Sequence, residues 1–317
     1  MYYLGVDLGG TNIGIGLVNA EGKILQKTSI PTIRDRSFEN MIEDIAQNCQ
    51  NLIEKQGITK EDINSVGVGC PGLCDIENGI LQYSNNLNYK NVNIRKEIQK
   101  YYDVPVYIEN DANCAAFGEV ICGAAVGRKN VILVTLGTGV GAGFYLDGKI
   151  FSGTNNGGGE AGHMVIVAEG EMCTCGRKGC WEAYASATAL KREGRIAAAK
   201  YPNGEIFKLV EGNIKLIDAK TVFEAHAKGD EVAIGIIEQY IKYVAIGLVN
   251  LVNIFQPEAI VIGGGICAQG DVILKPVREI LNDRVYGGKL LSEVLVAKLG
   301  SDAGIVGAAL LDKNGSR

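Results

Sequence analysis

Histidine is scarce in this chain, with only two in 317 residues, so the position of each carries information. The glycine-rich turns contain neither a Walker A lysine loop nor a G-x-G-x-x-G fingerprint, which excludes the two commonest phosphate cradles there. No run of lysine or arginine interrupts a net charge of −5, so nucleic acid is not expected as a partner. Redox C-x-x-C spacing is also missing. Cys70 and Cys74 straddle Pro71-Gly72 one residue too far apart, and they read as packing, as do Cys49, Cys114, Cys122 and Cys267. An odd cysteine count, nine, with no secretory pattern at Met1–Asp7 fits a reducing cytoplasm. The most apolar stretch, 244–255, is broken by Asn250 and Asn253, so it is expected in a core and not across a membrane. No Pro/Ser-rich linker divides the chain, which predicts a hinge between its parts.

Glycine, by contrast, is abundant: 43 of 317 is nearly twice the usual share of roughly 7%. No collagen-like period accounts for it. The glycines gather in loops, where they let backbone come close to a ligand.

The cysteines that are not scattered form C-x-C-x4-C at Cys173, Cys175 and Cys180, ten residues after His163. One imidazole and three thiolates make a complete tetrahedral shell for zinc. Gly176 and Gly179 let the loop turn tightly enough to aim the sulfurs at one point. Glu160 and Glu182 flank the cluster, so closing it brings two acids together. The alternative is a set of unrelated buried thiols, which explains the tight spacing less well. The other histidine, His226, lies among Glu224, Lys228 and Asp230 and reads as surface.

Strands are expected at 3–8, 14–19 and 23–29, then a helix at 38–54 with Met41, Ile45, Leu52 and Ile53 on one face. A buried strand at 65–69, an Asn78-Gly79 hairpin turn, a helix at 94–101 and a strand at 104–108 follow. From Val131 the pattern starts again: Leu136-Gly137-Thr138-Gly139 through Gly148-Lys149-Ile150 echoes Leu8-Gly9-Gly10-Thr11 through Gly22-Lys23-Ile24. A long helix (231–255), a strand (259–262) and a terminal helix (304–311) complete the second unit. The fold class is therefore α/β, two like halves with a ligand crevice between them.

Three glycine turns each follow a β-rich run: Asp7 to Asn12 (Asp7, Gly9, Gly10, Thr11, Asn12), Gly137-Thr138-Gly139, and Gly263 to Gly265 (Gly264, Gly265). Backbone N–H groups there can approach phosphate oxygens, Thr11 adds a hydroxyl donor, and Asp7 could orient a magnesium-bound water. A plain hairpin needing positive φ is the rival account of Gly9-Gly10. Glu109-Asn110-Asp111-Ala112-Asn113 follows the 104–108 strand and opens a helix. Capping accounts for one of these polar residues but not for the row. An aspartate at such a strand end could take a proton from a substrate hydroxyl.

Taken together, Asp7-x-Gly-Gly-Thr11, Glu109-Asn-Asp111-Ala-Asn113, the glycine-rich run to Gly159, Glu160-Ala-Gly-His163 and the cysteine loop through Glu182 resemble the ROK family of sugar kinases, most closely its bacterial glucokinases. The resemblance spans essentially the whole chain. It implies an actin-like ATPase (ribonuclease H-like) fold, with a small domain of 1–112 plus 301–317 and a large one of 113–300. It implies Asp111 as catalytic base, and Asn86, Asn110, Glu160, His163 and Glu182 as sugar ligands. His163 with Cys173, Cys175 and Cys180 would hold structural zinc, and ATP with Mg2+ would occupy the glycine turns. The expected reaction is phosphorylation of glucose, with N-acetylmannosamine, allose or fructose as alternative substrates, in a cytoplasmic homodimer or homotetramer. Two departures bear on sugar preference. The asparagine usually preceded by proline falls in Ser84-Asn85-Asn86-Leu87, where Asn86 is preferred over Asn85, and the serine after the zinc loop is followed by Ala187. A noncatalytic sugar-sensing protein is the further alternative. A repressor's DNA-binding helices are not expected, because the first glycine loop is reached at residue 9. A filament-type ATPase leaves the zinc loop without purpose.

Overall fold

The computed structural model describes residues 1–33, 36–84 and 86–314. Strands β1 (Tyr2–Leu8), β2 (Asn12–Asn19) and β3 (Ile24–Pro31) form an antiparallel meander. Helix α1 (Phe38–Gln56) then crosses to β4 (Ile63–Cys70), parallel to β1. Its start is capped by Ser37, whose side chain accepts from Asn40 N–H, and it stops at Gly57 with φ 73°. One face, including Met41, Ile45, Leu52 and Ile53, is buried against the sheet as its spacing predicts. Strands β5 (Leu73–Asp75), β6 (Ile80–Ser84) and β7 (Tyr89–Asn93) make a small antiparallel sheet, with Gly79 at φ 73° in the first turn. After α2 (Ile94–Gln99), β8 (Val106–Asn110) joins parallel to β4, giving the order β3-β2-β1-β4-β8.

Helix α3 (Asp111–Ile121) leads into the second half, whose strands are β9 (Val131–Leu136), β10 (Val140–Leu146) and β11 (Lys149–Ile150). Then come α4 (Glu182–Ala185), α5 (Ala187–Lys200), α6 (Glu205–Leu209), α7 (Ala219–Ala227) and α8 (Glu231–Phe255). Finally β12 (Ala259–Gly263), α9 (Asp271–Arg284) and β13 (Glu293–Val296) complete a sheet of order β11-β10-β9-β12-β13. The two sheets share one order and one pattern of parallel and antiparallel pairing. The duplication expected from the repeated glycine turn is thus present in the topology. Helix α8 has the length and apolarity to cross a membrane. Its Ile237, Val244, Leu248 and Leu251 are buried in the core of the second half.

Helix α10 (Ala303–Ala309) returns to the first sheet. Gly5 in β1 and Gly67 in β4 have no room for a side chain, because a Cβ there would overlap the carbonyls of Ile305 and Ala308. On its other side α10 packs against α3, where Gly307 lies directly on the Cys114 carbonyl. The sequence reading placed this helix at 304–311; it runs 303–309 and continues as a 3-10 turn. α4, α5, α6, α9, β7 and β13 have no separate place in that reading, while the helical stretch around His226 corresponds to α7. α6, β7 and β13 have only four or five residues each, too few for a period to show.

Candidate active site

Parallel pairing sets Asp7 beside Gly69, Gly69 beside Glu109, and Cys70 beside Asn110. Three adjacent strands, β1, β4 and β8, therefore end together, which is where open α/β sheets hold ligands. Asn110 caps α3 by accepting from the N–H groups of Ala112 and Asn113. Asp111, the first helical residue, accepts from Ala112 N–H at 2.9 Å. The residue keeps some surface, but its carboxyl is deeply desolvated. Burial, with the charges of Asp7 and Glu160 nearby, raises its pKa to about 7. Asp7 is raised by burial to about 6. No ion pair among the described residues offsets either charge. Gly304 at the start of α10 lies against Asp7, where a Cβ would come within 2.7 Å of the carboxylate.

In the first glycine turn Gly9 has an ordinary φ, so the positive-φ hairpin account does not apply to it. It is glycine because a Cβ would overlap the Asn12 carbonyl. The turn is braced by Thr32, which donates to the carbonyls of Gly9 (2.7 Å, hydroxyl) and Thr11 (2.8 Å, amide). Thr11 and Asn12 are exposed.

The other two turns sit side by side, because Gly263 pairs with Thr135 at the ends of β12 and β9. Gly264 has φ 88° and packs against the Leu136 carbonyl. Gly137 and Gly265 differ: φ is ordinary at both, and an added Cβ would meet no atom within 4 Å. Nothing in the protein requires glycine there, so open space beside the backbone is what the two residues preserve. The turn is tied to α5, with Ala187 N–H donating to the Gly137 carbonyl (2.7 Å) and the Thr188 hydroxyl to that of Thr138 (2.7 Å).

His163, Cys173, Cys175 and Cys180 come together, with their ligand atoms all within 4.8 Å of one another. Cys173 Sγ lies 3.6 Å from His163 Nδ1, and Cys175 Sγ lies 3.6 Å from Cys180 Sγ. A tetrahedron with zinc–sulfur bonds of about 2.3 Å has edges of about 3.8 Å, so this donor set fits zinc. The loop is fastened to its surroundings. Trp181, fully buried, donates from its backbone N–H to the Met164 carbonyl and from Nε1 to that of Tyr243 in α8, both at 2.8 Å. Gly247 provides the space for its ring.

A carboxylate oxygen of Glu182, Oε2, accepts from Val140 N–H at 3.0 Å and Oε1 from the Thr174 hydroxyl at 3.3 Å. Gly139 is glycine because Glu182 lies against it. Glu182 thus joins the cysteine loop to the second glycine turn, a bond that sequence reasoning missed. Glu160 is exposed and near enough to Asp111 for its charge to act there. Asn86 is exposed in the turn between β6 and β7, apart from these contacts, while Asn85 lies outside the described residues. His226 is half-buried at the end of α7.

The model of the ROK family matches residues 3–314. The chain belongs to the ROK family. Among ROK relatives it is 38% identical to a glucokinase of Thermotoga maritima, over 98% of this chain and 96% of that one. It is 30% identical to the xylose repressor of Bacillus subtilis, covering 96% of this chain and 75% of the repressor. A crystal structure of a ROK family glucokinase from Streptomyces griseus in complex with glucose and AMPPNP matches with a TM-score of 0.82 and 33% identity, covering 99% of this chain and 100% of that one. The fold is the actin-like ATPase fold of the ROK sugar kinases.

Proposed function

We propose that this chain transfers the γ-phosphoryl group of ATP to the 6-hydroxyl of glucose, with Asp111 as the general base. The observation that carries the reading is the position of Asp111: a desolvated carboxyl of pKa about 7, at the joined ends of β1, β4 and β8, with Asp7 beside it. A base whose pKa lies near the working pH combines a useful ionised fraction with real proton affinity. The glycine space at Gly137 and Gly265 suits a nucleotide, and Gly264 with the Asp7–Asn12 turn completes the proposed cradle. Two uncompensated carboxylates fit a phosphate donor that arrives with Mg2+, whose contribution is neutralisation of phosphate charge.

In this mechanism Asp111 holds the sugar hydroxyl in line and takes its proton as the bond to phosphorus forms. Asn110, Glu160, Glu182 and Asn86 orient the remaining hydroxyls. His163 does so through Nε2, the ring nitrogen left over when Nδ1 faces the sulfurs. The four-ligand cluster would hold structural zinc with no open position, so it serves to pin the loop that carries Glu182. The hinge lies between a lobe of 1–112 with 301–317 and a lobe of 113–300, and its closure excludes water from the transfer. We place the enzyme in the cytoplasm as a homodimer or homotetramer, in keeping with exposed Ile254, Tyr286 and Leu291.

A coupled ADP-release assay over glucose, mannose, fructose, allose and N-acetylmannosamine tests the reading. Glucose is expected to give the highest kcat/KM. A higher value for another sugar overturns the substrate, and no sugar-dependent ADP release overturns the activity.

A further inference from the structure

Glu109 stands immediately before the Asn110-Asp111 pair and is 1% exposed. Its Oε1 accepts three hydrogen bonds: from Asn110 N–H at 3.0 Å, Asn113 Nδ2 at 3.1 Å and the Ser152 hydroxyl at 3.1 Å. Asn113 is buried in turn, and its Oδ1 accepts from Phe144 N–H at 3.2 Å. Phe144 belongs to β10, and Ser152 lies two residues beyond the end of β11 on the stretch that runs on to Glu160 and His163. One carboxylate oxygen therefore joins the strand that ends at Asn110, the helix that begins at Asp111, and the second sheet.

We propose that Glu109 is a positioning residue for phosphoryl transfer: it fixes Asp111 relative to the loop carrying Glu160, with Asn113 and Ser152 as its links across the two halves. The proposal rests on the reading of Asp111 as the base. A buried carboxylate is costly unless its hydrogen bonds are made, and here the bonds made are those that locate the reacting group. The cap at Asn110 fixes only the start of α3 along its own axis. It says nothing about where that start lies against β10 and β11, which is what the bonds to Asn113 and Ser152 determine. Transfer is sensitive to such placement, since a shift of about 1 Å can cost on the order of 100-fold in rate.

Glu109→Ala, Glu109→Gln, Ser152→Ala and Asp111→Asn are to be compared for kcat, both KM values, the pH dependence of kcat/KM for glucose, and thermal unfolding. Glu109→Ala is expected to lower kcat by roughly 10- to 100-fold with the KM for ATP within about twofold, and to displace the acid limb of the pH profile. Glu109→Gln keeps an oxygen that accepts the same three bonds, so it should restore both kcat and the acid limb. A folded Glu109→Ala protein with wild-type kcat and pH profile overturns the proposal, as does Glu109→Gln as impaired as Glu109→Ala. If Glu109→Ala does not fold, Ser152→Ala decides: a several-fold fall in kcat supports the link and an unchanged kcat refutes it. Turnover retained in Asp111→Asn would instead sink the assignment of the base, whatever the Glu109 variants do.

Discussion

The negative charge of Asp7 reaches Asp111 and, after burial, is the largest cause holding that carboxyl at about pKa 7. The two groups come from the ends of different strands, and Asp111 is more costly to ionise for the presence of Asp7. The rate should therefore rise with pH. Below 7 Asp111 is protonated and cannot accept the hydroxyl proton; above it the base is free. In the free enzyme, kcat/KM for glucose should fall about tenfold per pH unit on the acid side of a midpoint near 7. A flat profile from pH 5.5 to 8 would exclude Asp111 as the titrating base.

The same strain makes a prediction about stability with the opposite sign. A carboxyl raised from 3.8 to about 7 on folding favours the native state most at low pH, and that contribution is lost as pH rises through 7. Asp111→Asn removes the buried charge but keeps an oxygen for Ala112 N–H. At pH 8 it should be more stable than wild type by on the order of 1 kcal/mol or more, a few degrees in Tm, while losing about 100-fold or more in kcat. The stability gain should shrink as pH falls from 7 toward 4. Calorimetry across that range checks it.

Metal content tests the cysteine loop. Purified protein should carry about one zinc per chain, and Cys175→Ala should lose metal and glucose affinity together while ATP affinity survives. Zinc-free protein with full activity would show that the loop holds its place without metal.

The glycines at the second turn should separate by partner. Gly137→Ala has room and an ordinary φ, so it should fold normally and raise the KM for ATP by occupying the space a nucleotide needs. Gly139→Ala drives a methyl into Glu182, so its larger effect should fall on the KM for glucose. Steady-state kinetics with each substrate varied distinguishes the two. An unchanged KM for ATP in Gly137→Ala would place the nucleotide elsewhere.

Trp181 is the single tryptophan, fully buried and adjacent to Glu182. Glucose should change the intrinsic fluorescence through that neighbour, and ADP alone should change it much less. Trp181→Ala should cost about 3–5 kcal/mol by opening a cavity against Gly247 and α8. Equal fluorescence responses to both ligands would detach the sugar site from this loop.

Much of this architecture is legible in the sequence because glycine and cysteine carry constraints that other residues do not. The repeated turn at Gly9 and Gly137 announces two sheets, and both have one strand order. The four zinc-type ligands are close in sequence, so their meeting needs only local turns. The bonds of Glu109 to Ser152 and of Glu182 to Val140 join positions 43 and 42 apart, and no local spacing signals them. Gly304 against Asp7 is harder still, since it depends on the last helix finding the first strand. Helix α9 and strand β13 were missed for another reason: α9 carries Pro276 in its interior, and β13 is four residues long with only Val294 buried.

The return of α10 to β1 and β4 sets an order on how the molecule can be made. Gly5 and Gly67 are shaped to receive backbone that the ribosome delivers some three hundred residues after the first of them. Until residues 303–309 emerge, the part of the first sheet around Gly5 and Gly67 lacks the helix that packs on it, and the α3 face at Cys114 and Gly118 lacks its partner. The first half of the chain is thus synthesised early but completed only by residues made after the second half. The register of Asp7 against Gly304 is fixed only once residues 303–309 have been made, so the first sheet cannot complete its packing before the second half of the chain exists.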